Sequence, residues 1–307
     1  MAKKILVVGS INQDLVLCMP RMLKPGESLI CSQYFYSMGG KGANAAVAAA
    51  RLGGAVDFCG QVGADETGQT LRQTLNDEGV GTAYMAPVKG CATGLAVIFL
   101  EDDGSNRIAV YPQANTAPRP EGWLSALPED YDAVMMQLEI PQDVILETAA
   151  WAGAKGIPVV LDAGPAQAFP LEQMRGMAIL SPNETETQAL TGILPDAGEA
   201  GLAAAKKLME RGGAKYVVIK LGAQGCLVYD GSAATHIPPY PVKAVDTTAC
   251  GDAFTGALTL NFLETGDILA AARYANAVGA LTATGKGAMP SLPTAEAVKA
   301  FLKKAEE

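Results

Sequence analysis

Six short β-rich apolar runs punctuate this chain: ILVVG (5–9), AVDFCG (55–60), AVMMQL (133–138), PVVLDAG (158–164), AILSP (178–182) and YVVIKLG (216–222). Stretches with helical patterning lie between them, among them GANAAVAAARL (42–52), TGQTLRQTLNDE (67–78), VILETAAWA (144–152) and NETETQAL (183–190). Strand-then-helix alternation sustained over most of a chain predicts a doubly wound, mostly parallel α/β sheet flanked by helices. Two zones break the rhythm. Residues 15–36 and 94–112 read as strand pairs without an intervening helix, the second joined by the turn-like DDGSN. They are expected to form a small β-sheet lid on a core made of 1–14, 37–93 and 113–307. Residues 251–305 read as almost wholly helical.

With 307 residues, 49% of them hydrophobic and 18% charged, the chain has material for one large core or a core with an appendage. A formal net charge of −9 repels polyanions, so neither a nucleic acid nor an anionic membrane is the expected partner, and an anionic small ligand needs a locally positive site. Six cysteines without a C-x-x-C pair fit thiols in a reducing compartment better than zinc or disulfides. The apolar run after MAKK is too short for a signal segment, and no stretch reaches the length of a membrane span, so a cytoplasmic location is expected. The one histidine, His236, sits among prolines and reads as a surface imidazole. Ser-His-Asp hydrolysis and His-rich metal sites would all depend on it, which leaves carboxylates as the candidates for acid–base work.

No G-x-x-x-x-G-K-[ST] occurs, and no complete G-x-G-x-x-G follows the first strand. Instead, VDTTACGDAF (245–254) places two aspartates around five small residues just before a long apolar run. Small residues at a helix start leave backbone N–H groups open to an anion, with the helix dipole behind them. Asp252 would lie in the first turn, able to take a proton from an alcohol while the amides stabilise a phosphate. On the segment alone the plainer alternative stands: Thr247 or Thr248 caps the helix and Asp252 complements its dipole. A second constellation, Gly39, Gly40, Lys41 and Gly42, opens an Ala-rich helix with Asn44 in its first turn. Asn12 and Asp14 share a face if the chain is extended there. Together these make a polar cluster suited to a polyol, although each residue singly also reads as a turn or cap.

GSINQDLV (9–16), GGKGANAAVAAARLG (39–53), SPNETE (181–186), DTTACGDAFTGAL (246–258) and GKGAMPSLPT (285–294) occur in the order seen in ribokinase-like (PfkB-type) carbohydrate kinases. The chain resembles that family over essentially its whole length and is most similar to its ribokinase branch. The resemblance implies that Asn12, Asp14, Gly39, Gly40, Lys41, Asn44 and Glu139 hold a sugar, with Asp252 as general base. Backbone N–H groups of Ala249, Cys250, Gly251 and Asp252 would form an anion hole for the γ-phosphate of ATP. Asn183, Lys220, Gly222, Gly225, Gly251 and Asn276 would line the nucleotide site, and Glu186 would act on Mg2+ through water. A monovalent cation, K+, is implied at Asp246, Thr248, Thr282, Gly285, Gly287 and Ser291. A homodimer formed through the lid is implied as well.

The chain departs from the family pattern at three places. Cys250 stands where alanine is usual, YPQANTAP (111–118) differs from the usual sequence after the second lid strand, and Lys220 replaces the more common threonine. The expected reaction is ATP-dependent phosphorylation of a primary sugar hydroxyl, D-ribose to ribose 5-phosphate first. The alternatives are another small sugar such as fructose or 2-keto-3-deoxygluconate, a nucleoside, or a non-catalytic sugar or nucleotide sensor on the same fold.

Overall fold

A computed structural model describes residues 2–102, 104–174 and 176–306. Its centre is an eight-stranded sheet built from β1 (Lys4–Val8), β4 (Ala55–Cys59), β9 (Ala133–Gln137), β10 (Val159–Asp162), β11 (Ile179–Ser181), β12 (Tyr216–Lys220), β13 (Cys226–Tyr229) and β14 (Ala234–Ile237). The spatial order is β14-β13-β12-β11-β10-β9-β1-β4. All pairings from β4 to β12 are parallel, while β12–β13 and β13–β14 are antiparallel. The two antiparallel strands need no crossover, which is why helical patterning stops between residues 216 and 237.

Both faces of the parallel part of this sheet are covered, so its strands are apolar along most of their length, with polar residues such as Asp57, Gln137, Asp162, Ser181 and Lys220 as the exceptions, and divide their apolar side chains between two cores. Ile5 and Val7 of β1 join one core with α1 (Lys41–Arg51), α6 (Cys250–Thr265) and α7 (Ile268–Thr282). Leu6 and Val8 join the other with α3 (Gln142–Ala154) and α5 (Glu199–Gly212). The remaining helices are α2 (Glu66–Asp77), α4 (Glu184–Thr191) and α8 (Ala295–Glu306). Among the described residues no helix is long and apolar enough to cross a membrane, and the six cysteines are free.

The two zones that break the strand–helix rhythm form one four-stranded sheet, in the order β3 (Gln33–Gly39), β2 (Asn12–Met19), β7 (Gly94–Glu101), β8 (Asn106–Tyr111). β2 runs antiparallel to β3 and parallel to β7. Its strands start and end deeper than the sequence pattern indicated, so Asn12, Asp14 and Gly39 belong to this sheet. Asp103, within the DDGSN segment that the sequence reads as a turn, lies outside the described residues. A two-stranded parallel pair, β5 (Gln61–Gly63) and β6 (Ala86–Val88), completes the strands. The expected continuous helical region is interrupted between 282 and 295, where Gly287 takes φ +76° and Pro290 and Pro293 remove backbone donors.

Candidate active site

The C-terminal ends of β1, β9 and β10, the start of α1 and the start of α6 converge on one polar cluster. Asp252 lies in the first turn of α6 and is buried. Its Oδ2 accepts from Asn44 Nδ2 at 2.8 Å, and its Oδ1 is 3.6 Å from Lys41 Nζ. Neither Thr247 nor Thr248 caps this helix. The N-cap is Ala249 in a left-handed conformation with φ +62°, and no side chain bonds to the helix start. The amide of Cys250 donates to Thr247 O at 3.3 Å and that of Ala253 to Ala249 O at 2.8 Å, whereas those of Gly251 and Asp252 take no carbonyl of the preceding turn. Two N–H groups beside a carboxylate therefore face outward at a helix N-terminus, the arrangement that favours an anion.

Gly40 opens α1 with φ +92°, a conformation that excludes ordinary side chains, and α1 starts tight against the β1–β2 turn. A Cβ on Gly39 would run into the Asp14 carboxylate. Asp14 is pushed up to about 7 by burial and by the neighbouring charges of Glu139 and Asp252. Glu139 Oε2 accepts from Ser10 Oγ and from the backbone N–H of Lys41 at 3.1 Å. Burial works against the Lys41 ammonium, yet the carboxylates of Asp252, Asp162, Glu186 and Glu139 outweigh it and hold the lysine firmly charged.

Lys220 Nζ bonds to Asp162 Oδ2 at 2.7 Å, and Thr255 Oγ1 of α6 donates to the same oxygen at 2.7 Å. This buried pair sits beside the start of α6: a Cβ on Gly251 would lie 3.6 Å from the ammonium. Burial raises the cost of charge on Asp162, but Lys220 and Lys41 prevail and lower its pKa. Glu186 is raised by burial against the pull of Lys220 and Lys41. Glu186 also closes a capping box on α4, exchanging hydrogen bonds with Asn183 at 2.7 and 2.9 Å. Gly222 (φ +50°) and Gly225 (φ +85°) shape the turn after β12. Asn276 spends its Nδ2 on the carbonyls of Ile237 and Pro238 at 3.2 and 3.1 Å, fixing the chain beside that turn.

The Asp246 carboxylate is buried with only N–H and O–H partners: Thr248 N at 2.9 Å, Thr248 Oγ1 at 2.6 Å and Gly287 N at 2.9 Å. Among the described residues no cationic side chain pairs with it, and a Cβ on Gly285 would meet Ser291 at 2.6 Å. Thr282 Oγ1 donates to Val278 O at 2.8 Å, which spends its proton and leaves its oxygen lone pairs and the backbone carbonyl as groups a cation could use. A buried, uncompensated carboxylate beside a tightly packed turn fits a weakly hydrated cation. Among the described residues no group of three or more Asp, Glu, His or Cys could hold a metal. A magnesium ion brought by a nucleotide's phosphates fits that surrounding better than one held by a protein cage. Cys250, between Asp246 and Asp252, has its thiol pushed up to about 12 by burial and by those two charges, so it stays protonated and inert.

A cavity of about 10 Å³ is lined by Asp14, Phe35 and Ile98 of the small sheet together with Asp246 and Gly287. Two larger surface hollows, about 380 and 480 Å³, lie elsewhere. Their charged residues are already engaged: Arg211 with Glu172 and Leu190 O, Asp230 and Asp267 with backbone amides. Four residues of the cluster were not singled out in the sequence: Ser10, Asn115, Asp162 and Thr255. Asp162 carried a usable signal, a carboxylate at the end of an otherwise apolar strand; the other three are small polar residues whose partners are distant in the chain.

The sequence profile of the pfkB family carbohydrate kinases matches residues 2–295. The ribokinase of Haemophilus influenzae is 36% identical over 99% of this chain and 100% of its own length. The deoxyribokinase of Salmonella typhi is 32% identical over 97% of this chain and 98% of its own. The solved structure of Arabidopsis thaliana ribokinase complexed with ribose and ATP superposes with a TM-score of 0.90 at 34% identity, covering 99% of both chains. With the same architecture and a full-length family match, the chain belongs to the pfkB family of carbohydrate kinases.

Proposed function

We propose that this protein transfers the γ-phosphate of ATP to the primary hydroxyl of a small sugar, D-ribose first. One observation carries the reading: Asp252 and two free amides occupy the same helix start, so a proton acceptor and an anion site lie side by side. A hydroxyl held there gives its proton to Asp252 as its oxygen attacks the γ-phosphorus and ADP departs. Asn44 and Lys41 hold the Asp252 carboxylate in place. Gly251 and Asp252 stabilise the transferring phosphate through their N–H groups, and Lys220 adds positive charge beside them. Asn12, Asp14, Gly39, Gly40 and Glu139 bind the remaining sugar oxygens. Asn183, Gly222, Gly225 and Asn276 form the nucleotide edge.

Glu186 would meet, through water, the Mg2+ carried by the nucleotide, an ion that offsets phosphate charge. Asp246, Thr248, Thr282, Gly285, Gly287 and Ser291 would hold K+, mostly by backbone carbonyls, which would stiffen the turn before α6. Residues 15–36 and 94–112 act as the lid that excludes water from the site. Tyr34, Tyr36 and Tyr111 are exposed on one face of its edge strands, an apolar surface suited to a second copy of the chain, while the exposed Ile108 and Val110 lie on the opposite face with Asp14. Free cysteines suit a cytoplasmic setting.

ATP turnover against a panel of sugars and nucleosides, with and without K+, tests the reaction; a chain that no acceptor stimulates is a binding protein instead. Asp252→Asn should lower kcat by about 10²–10⁴-fold and leave sugar Kd within a few-fold. A variant with near-normal kcat removes Asp252 from the base role. The similarity to a deoxyribokinase keeps 2-deoxyribose as the second substrate to compare.

A further inference from the structure

Asn115 lies in the turn that returns the chain from β8 to the core, within the segment that departs from the family pattern, and it is 2% exposed. Its polarity follows from backbone partners alone. The N–H of Ile11 can only donate, so the atom 3.0 Å from it is Oδ1. The carbonyls of Ile11 and Pro112 can only accept, so the atom 3.0 and 3.1 Å from them is Nδ2. That same Nδ2 is 2.8 Å from the Asn12 amide, and a donor there obliges Asn12 to present its oxygen. Asn12 Nδ2 is left with no acceptor among the described residues. It lies on the face of β2 shared with Asp14, whose carboxylate feels Asp252 and Glu139. Gly94, paired in register with Asn12, has no side chain to interfere; a Cβ there would collide with Asn115 Nδ2 and Asn12 Oδ1 alike.

We infer that Asn115 is a positioning residue for sugar specificity: it locks the Asn12 amide so that only the NH2 end faces the sugar. An unrestrained asparagine could turn either end toward a ligand. Locked, position 12 donates and position 14 accepts, so β2 reads two sugar oxygens of opposite hydrogen-bonding role and disfavours an analogue that lacks the one Asn12 reads. The inference rests on the proposed placement of the sugar against Asn12.

A double-mutant cycle in ribose KM, with ATP KM and kcat recorded alongside and 2-deoxyribose run in parallel, tests it. Asn12→Ala should raise ribose KM by about tenfold or more. Asn115→Leu should raise it comparably with ATP KM unchanged, and the double variant should be no worse than the weaker single variant. Asn115→Ser, which admits water to the freed Ile11 groups, replaces Asn115→Leu if the latter does not fold, with the same expected result. Losses that multiply, or an Asn115 variant with normal ribose KM beside a weakened Asn12→Ala, overturn the positioning role. A normal ribose KM in Asn12→Ala overturns instead the placement of the sugar, and absence of turnover with either pentose overturns the proposed function.

Discussion

Sugar binding should be strongly pH-dependent in a range where sugars themselves do not titrate. Asp14 is 5% exposed on β2, with Glu139 and Asp252 as its charged neighbours, and Lys41 is bonded to Asp252 instead. Burial and the two like charges push the Asp14 carboxyl up to about 7, a displacement worth about 4 kcal/mol against ionising it in place. The ionised carboxylate accepts a sugar hydroxyl more strongly than the protonated acid does, so binding favours the deprotonated form and the apparent Kd rises as pH falls below the midpoint. Between pH 6 and pH 8 the ionised fraction climbs from about one-eleventh to about ten-elevenths, so ribose should bind about tenfold more tightly at the upper value. Isothermal titration without nucleotide reads this directly, since no chemistry occurs. Asp14→Asn should bind more weakly with a flat profile, and Asp252→Asn should shift the midpoint downward by removing one of the two repelling charges. A wild-type Kd that changes by less than about twofold across this range, or an Asp14→Asn protein that keeps the slope, would refute the reasoning.

Two further outcomes concern the lid and the turn behind it. Gln113 takes φ +51°, a left-handed conformation that costs a residue with a Cβ about 1 kcal/mol or more. Gln113→Gly should therefore raise Tm by about 1–2 °C by differential scanning calorimetry, the relief of strain exceeding the added flexibility of the unfolded chain; an unchanged or lowered Tm means that the turn is not strained. Tyr36→Glu combined with Tyr111→Glu places charges on the exposed lid face that carries both tyrosines and should convert a dimer into a monomer in sedimentation velocity. A wild-type chain that already sediments as a monomer removes the lid interface.

The parallel core was readable because burial on both faces leaves a composition signal along most of each strand: Ile5, Leu6, Val7 and Val8 are all apolar although they serve two different cores. The glycines before α1 and the small residues before α6 were readable for a related reason, since close backbone approach leaves few residue types. Side-chain pairing across the sheet leaves no such trace. Lys220 and Asp162 are 58 positions apart, and either alone could be a solvated strand end; only the fold reveals that they form a buried pair beside the start of α6. Asn115 is harder still. Its meaning lies in Asn12, 103 positions away, and in a direction of hydrogen bonding that no residue type specifies. Sequence therefore exposes the groups that touch a ligand sooner than the groups that aim them, because the first are restricted in chemistry and the second only in geometry. For this chain the aiming residues, Asn115 toward Asn12 and Asp162 toward Lys220, are where differences in substrate preference among otherwise matching motifs have room to arise.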